Sequence, residues 1–305
     1  MAWKEIRFEK YSAEVKKALK LSVSDGIIEK DLLLTLILAE FEKRKIGKDL
    51  IFKGGTLLSR NYLNYHRFSE DLDFVYRDSG NLREMTRLAR EKKIKQFIDT
   101  FCPVLKSICD ELGLDFSIDR SNVKYCRIMH GRAVYTFKIY YSDEQFIKVE
   151  INFVEKIFYE TPEISVKAIT ELFDSRKLLS DLNISYQNFK VPSYSLKEIT
   201  LEKYRAILTR KKLQERDLFD LFLIKDSLDA NLDKVIEKIK NSSLIKTDLN
   251  NLIKEKLILF EKGVFFDSQE KIEELAISEY KNQEFQEFKD KIKPILIEVC
   301  KKFLE

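Results

Sequence analysis

Residues 50 to 76 leave the chain few folds to choose from. Leu50-Ile51-Phe52 is short and apolar, Gly54-Gly55 interrupts it, Leu57, Leu58 and Tyr62 return at helical spacing, and Asp71-Leu72-Asp73-Phe74-Val75-Tyr76 alternates acidic with apolar. The expected order is strand, turn, helix, strand. Asp71 and Asp73 stand two apart on the second strand, so their side chains leave one face while Leu72 and Phe74 enter a core from the other. Burying the apolar pair decides where the carboxylates point. Ser69 shares their face if the strand reaches that far.

Around this unit the periodicity changes twice. Residues from about 10 to 46 read as helices, with Leu32, Leu33, Leu36, Ile37 and Phe41 following Asp31, and Gly47 closing the segment. Residues from about 81 to 112 are again helical, with Arg83, Arg87, Arg90, Lys92, Lys93 and Lys95 on an outer face. The period then becomes two over 116–119, 124–129, 133–141 and 146–153, with breaks at Asn122, Gly131 and Ser142-Asp143, which predicts consecutive antiparallel strands. In the last, Glu150 and Asn152 share a face opposite Val149, Ile151 and Phe153. Only eight glycines and four prolines punctuate the chain, most of them before residue 192. A mixed domain over 1–191 and a helical C-terminal domain over 192–305 follow, the second opening at a Ser195 cap with Glu198 three residues on. Arg216 to Ile224 is a further helix, and helices continue to Glu305. The fold class is α+β, a mixed sheet with flanking helices and then a helical part.

Composition removes several function classes. A hydrophobic fraction of 44% supports a packed core, and a charged fraction of 35% with a net charge of only +4 gives a surface with no dominant sign. The run Arg205, Arg210, Lys211, Lys212 and Arg216 allows a local basic patch, although a solvated helix face accounts for it more simply. Cys102, Cys109, Cys126 and Cys300 show no C-x-x-C spacing, which argues against a zinc ribbon or redox motif and for reduced, buried thiols. With only His66 and His130, a multi-histidine metal site is excluded, and carboxylates must carry any metal chemistry. The start Met1-Ala2-Trp3-Lys4-Glu5 is polar, and the apolar run Leu32 to Ala39 is too short to span a bilayer, so a cytoplasmic protein without membrane contact is expected.

Two hard oxygen ligands at the spacing of Asp71 and Asp73 suit magnesium, yet an isolated D-x-D is common at exposed strand ends. Gly54-Gly55-Thr56 supplies context, because free backbone N–H groups and a helix N-terminus at a strand-to-helix turn can hold phosphate oxygens. Neither G-x-x-x-x-G-K-[ST] nor G-x-G-x-x-G occurs. Glu150 offers a third carboxylate. Downstream, Lys203 and Arg210 are seven apart and project from nearly the same helix face, within reach of phosphates. Asp217 and Asp220 lie in the first turns of the next helix. A structural ion pair from Arg210 or Arg216 to Asp217 or Asp220 is the plainer alternative, and for Asp220 the better one.

Together these features resemble the nucleotidyltransferase superfamily, with its polymerase β-like mixed sheet. More narrowly, Phe52-Lys53-Gly54-Gly55-Thr56-Leu57-Leu58, then Arg67-Phe68-Ser69-Glu70-Asp71-Leu72-Asp73-Phe74, and later Glu202-Lys203-Tyr204-Arg205 with Arg216-Asp217-Leu218, resemble the AbiEii/AbiGii abortive-infection toxin family with its MenT-like members. The resemblance covers roughly residues 50 to 225. It implies catalytic Asp71, Asp73, Glu150, Lys203 and Asp217, nucleotide contacts from Lys53, Gly54, Gly55, Thr56, Ser69 and Arg210, and a metal held by Asp71, Asp73 and Glu150. It further implies Mg²⁺ or Mn²⁺, a nucleoside triphosphate substrate, a tRNA 3′ end as acceptor, a cognate antitoxin protein, and a place in toxin–antitoxin or phage-defence systems. A protein or small-molecule acceptor, and a catalytically silent nucleotide-binding module, remain open beside it.

Overall fold

The computed structural model of the chain describes residues 8–186, 188–227, 231–242, 246–265 and 282–305, and these divide into two units. The first comprises Met1–Glu155 and Thr161–Ser193; the second comprises Lys156–Glu160 and Tyr194–Glu305. The polar start Met1-Ala2-Trp3-Lys4-Glu5, and the part of the expected C-terminal helices over 266–281, lie outside the described residues.

The first unit opens with helices α1 (Phe8–Leu19) and α2 (Asp25–Lys43). Within α2, Asp31 faces inward. It is 2% exposed and accepts from Arg60 Nη2 at 2.7 Å, while Arg60 Nη1 donates to Thr35 Oγ1 at 3.0 Å. A buried charge costs least when paired and hydrogen-bonded, so this group ties α2 to the segment holding Arg60.

A five-stranded sheet follows, built from β1 (Leu50–Lys53), β2 (Asp71–Tyr76), β3 (Cys126–Met129), β4 (Val134–Tyr140) and β5 (Phe146–Asn152), in the order β1-β2-β5-β4-β3. Only β2 and β5 run parallel; the other pairs are antiparallel. Ring contacts bind one face of the sheet to helix α5 (Arg87–Leu112): Phe97 lies 5.0 Å from Tyr76 and 5.6 Å from Phe153, and Phe101 lies 5.4 Å from Phe137. Helix α5 is separated from the short α4 (Ser79–Glu84) because Thr86 caps it, accepting from Ala89 N.

The expected strand over 116–119 does not form. Phe116 is buried against Phe137, Asp119 Oδ1 accepts from the N–H and hydroxyl of Ser121 in a local turn, and only an isolated bridge joins Asp115 to Tyr140. The side-chain bonds of Asp119 compete with the ladder for this backbone. The unit closes with α6 (Arg176–Asp181) and a small antiparallel pair, β6 (Glu163–Ser165) with β7 (Lys190–Pro192).

The second unit is helical, with α7 (Leu196–Thr209), α8 (Glu215–Leu223), α9 (Leu232–Lys240), α10 (Lys246–Glu261) and α11 (Asn282–Leu304). Ser195 caps α7 by accepting from Glu198 N, but Glu198 does not complete the expected capping box. Its carboxylate, fully buried, accepts from the N–H groups of Phe158 and Tyr159 at 2.8 and 2.9 Å, and from Lys238 at 2.7 Å. Two orphan amides and a buried ammonium outcompete one cap. All four cysteines are free and buried, and burial pushes the thiols up, to about 12 for Cys102 and about 11 for Cys126, so they are inert as nucleophiles. Among the described residues, no helix is long and apolar enough to cross a membrane.

Candidate active site

Strand register builds an acidic cluster in the first unit. Asp73 pairs with Glu150 and Asp71 with Lys148 across the parallel β2–β5 ladder, and directly paired residues project from the same face. Burial along β5 alternates, with Ile147, Val149 and Ile151 inward and Lys148, Glu150 and Asn152 half-buried on the carboxylate face. Lys148 Nζ lies 3.0 Å from Asp71 Oδ2 and 4.0 Å from Glu150 Oε2, and Thr136 donates to Glu150 at 3.4 Å. Burial pushes the carboxyl of Asp73 up to about 6; Lys148 opposes the rise, and Glu150 and Asp71 add to it. Burial lowers the Lys148 ammonium, but Asp73, Asp71 and Glu150 outweigh it and hold the group above its ordinary range.

The glycine turn abuts this cluster. Gly54 has φ +83°, in the left-handed region, and a Cβ there would stand 2.4 Å from Asp73 Oδ2. Any larger residue is excluded both by backbone conformation and by the carboxylate. A Cβ on Gly55 would meet Arg67 Nη2 at 2.9 Å and Ser69 Oγ at 3.0 Å. Thr56, buried, donates to the Asp71 carbonyl and contacts Ser69 Oγ at 3.0 Å, joining the turn to the start of β2. Ser69 itself precedes the strand, which starts at Asp71, so Thr56 and not the pleat places it near the cluster. The Lys53 ammonium is buried in an ion pair with Glu155, which also accepts from Asn152 at 3.2 Å.

The helix expected through Leu57, Leu58 and Tyr62 does reach Tyr62 but changes type on the way. One α turn, α3 (Gly54–Leu57), passes into a π turn over Leu58–Tyr62. So short a helix has little macrodipole, and what the turn offers an anion is N–H groups. No side chain caps that end.

The donor chemistry fits a hard divalent cation. Three carboxylates, Asp71, Asp73 and Glu150, face one ammonium, Lys148, an excess of two negative charges when all are ionised. Among the described residues no group of three or more His, Cys, Asp or Glu side chains is spaced to hold a metal as it stands, and the Lys148 ammonium lies among the carboxylates. Asp71 and Asp73, with Glu150 on the neighbouring strand, are the residues that would hold such an ion.

Lys203, Arg210 and Asp217 belong to the second unit. Lys203 Nζ lies 3.2 Å from Asp217 Oδ1 and 2.5 Å from Asp220 Oδ2, with both aspartates at most 1% exposed. Arg210, at the C-terminal end of α7, reaches Asp217 Oδ2 at 3.1 Å and donates to Gln214 at 2.6 Å. That contact lacks hydrogen-bond geometry, so Asp217 Oδ2 is a buried acceptor with an ionic neighbour but no hydrogen bond. Lys203 faces both aspartates and Arg210 faces Asp217. The ion pair between Arg210 and Asp217 is thus present, and Lys203 is committed to Asp217 and Asp220.

Of the histidines, His66 turns Nδ1 to the Leu63 carbonyl and His130 is exposed at a hairpin tip. Lys148, Arg67 and Glu155 were not singled out by sequence. The period of two that paired Glu150 with Asn152 also places Lys148 on their face, and was the available signal; Arg67 opens the motif that runs to Phe74, and Glu155 carried no signal.

The sequence profile of the family described as nucleotidyl transferase AbiEii toxin, type IV TA system, matches residues 36–300. Among solved structures, the nucleotidyltransferase toxin MenT4 from Mycobacterium tuberculosis H37Rv is similar over 96% of this chain and 99% of its own, at 14% identity and a TM-score of 0.46. JHP933 from Helicobacter pylori is similar over 92% of this chain and 96% of its own, at 16% identity and a TM-score of 0.41. None of the curated proteins matches the sequence.

Proposed function

Because the chain belongs to the AbiEii nucleotidyltransferase toxin family of type IV toxin–antitoxin systems, we propose that it transfers a nucleotidyl group from a nucleoside triphosphate to a tRNA 3′ end, with Mg²⁺ or Mn²⁺ held by Asp71, Asp73 and Glu150. One observation carries this reading: the Gly54 turn touches the Asp73 carboxylate, so phosphates held at the turn lie beside the acidic cluster. The N–H groups of Gly54 and Gly55 bind phosphate oxygens, and Thr56 and Ser69 keep the turn against β2. The divalent ion, when bound, offsets phosphate charge and makes the acceptor hydroxyl a better nucleophile. The new bond forms from the acceptor oxygen to the α-phosphorus as the bond to pyrophosphate breaks. Positioning and electrostatics supply the rate, and no covalent intermediate with the protein is needed. A cognate antitoxin protein restrains the activity, which is exercised in the cytoplasm, where both substrates are found.

The test incubates the purified protein with each α-labelled triphosphate and either total tRNA or total cellular protein. Label is expected at tRNA 3′ ends, reduced roughly a thousandfold by Asp71→Ala. Label in protein instead overturns the acceptor, and label in neither with any triphosphate overturns transfer. Expression should arrest growth, and Asp71→Ala should relieve the arrest.

A further inference from the structure

The face that carries Asp71 and Asp73 continues beyond them. Cross-strand pairs project together, so register extends this face over the whole sheet. One row runs Asp73, Glu150, Thr136, Arg127, and the next runs Asp71, Lys148, Lys138. Beyond Lys138 and Lys148 the next paired residues on this face are Tyr140 and Phe146. From β2 to β3 the rows span three strand spacings, about 14 Å.

What lines this extension differs from what lines the opposite face. There, Phe137, Ile139, Ile147, Val149 and Ile151 are fully buried, and Phe137 meets α5. On the carboxylate face, Lys138 Nζ stands 4.2 Å from the Phe146 ring centre, and the Phe146 and Tyr140 rings are 5.4 Å apart. Lys138, Tyr140 and Phe146 are half-exposed and Arg127 is exposed. At the sheet end, Tyr125 lies 5.8 Å from Tyr140. Local structure explains Tyr125 and Lys124, which Asp115 holds at 2.8 and 3.0 Å. It also seats Tyr140, whose ring lies 4.6 Å from Lys124 Nζ and whose hydroxyl donates to the Lys124 carbonyl at 3.5 Å, but it does not explain Lys138 or Arg127, which have no carboxylate partner among the described residues, or the half-exposed Phe146 ring beside Lys138. Aromatic rings interleaved with cations, in line with an acidic cluster, suit a chain with flat, unpaired bases and a charged backbone. A duplex would present its backbone and withhold its base faces.

We infer that this face is the acceptor platform: an unpaired polynucleotide 3′ end crosses β5, β4 and β3, its bases stacking on Phe146 and Tyr140 and its phosphates meeting Lys138 and Arg127. The terminal hydroxyl is thereby led toward Asp71 and Asp73. The inference rests on the polynucleotide acceptor proposed above and assigns residues to it.

The experiment measures binding of a 5′-fluorescein-labelled, unstructured oligoribonucleotide to the full chain by anisotropy, with triphosphate affinity measured separately. Phe146→Leu and Tyr140→Leu should each weaken oligonucleotide binding about tenfold and leave triphosphate affinity unchanged, and Phe146→Tyr should retain it. Lys138→Gln should lower the slope of log affinity against log salt by about 0.7, one phosphate contact on a single strand. Circular dichroism and melting confirm that each variant folds. Folded variants that bind the oligonucleotide like wild type overturn the platform, as does a Phe146→Leu defect confined to the triphosphate, which would make these rings a base pocket for the nucleotide. Wild-type extension of tRNA by Phe146→Leu and Tyr140→Leu rejects the platform and leaves the transfer reading standing. Oligonucleotide bound through these residues but never extended rejects the transfer reading instead.

Discussion

The acidic cluster of the first unit and the Lys203 cluster of the second are built on opposite principles. In the first unit, three carboxylates gather around the Lys148 ammonium, and burial, with Glu150 and Asp71 adding to it, pushes Asp73 up to about 6. In the second, Lys203 and Arg210 offset Asp217 and Asp220, with both aspartates buried. A balanced buried cluster stabilises the fold around it when intact and is costly to break. An unbalanced one destabilises until something cationic arrives, which is the state expected of a binding site. Charge balance, more than residue type, therefore separates the two.

The largest effect should come from emptying the unbalanced cluster. Asp71→Ala is expected to lower nucleotide transfer roughly a thousandfold, about 4 kcal/mol of transition-state stabilisation, while the melting temperature changes little. A single-turnover assay and a melt on the same sample check both. Lys203→Ala should do the reverse first, removing the ammonium that both buried aspartates face and costing about 3 kcal/mol or more in urea unfolding. If Lys203→Ala is as stable as wild type, the buried pairs are not what holds this part of the helical unit.

Neutralising one aspartate in each cluster should give opposite signs. Asp217→Asn loses the charge that Lys203 and Arg210 face and should cost about 2 kcal/mol. Asp73→Asn should stabilise the metal-free protein by up to about 3 kcal/mol at pH 8, since each unit of upward shift is worth about 1.4 kcal/mol. The sign follows from proton binding: with its folded pKa raised to about 6 from 3.8, Asp73 binds a proton more readily in the folded chain. Its favourable contribution is fully present below the unfolded value and is lost as pH rises through about 6. The advantage of Asp73→Asn should therefore vanish toward pH 4, as urea midpoints in EDTA would show. The smallest effect is expected from Lys148→Met, which removes the larger of the two cationic offsets on Asp73, Lys53 being the other. It should lower metal-free stability by about 1 kcal/mol and enlarge the gain in melting temperature on adding Mn²⁺.

Much of this arrangement is local and was open to reading. The acidic and apolar faces of β2 follow from alternation, and the Gly54 turn from its position between strand and helix. The failures were also local contests. Glu198 serves two amides of another segment, and Asp119 closes a turn where a strand was expected. In each case a polar side chain found a partner distant in sequence or a competing local bond, which propensity cannot weigh.

The glycine turn and the acid-bearing strand were therefore determined by sequence alone, because backbone sterics and a period of two act within a few residues. Tertiary structure decided that Glu150, from a strand far along the chain, lies beside Asp73, that Lys148 lies beside Asp71, and that Lys203 is committed to Asp217 and Asp220. Register between distant segments, and the burial that makes a charge count, are set by how apolar faces pack together, and no short stretch of sequence contains that information.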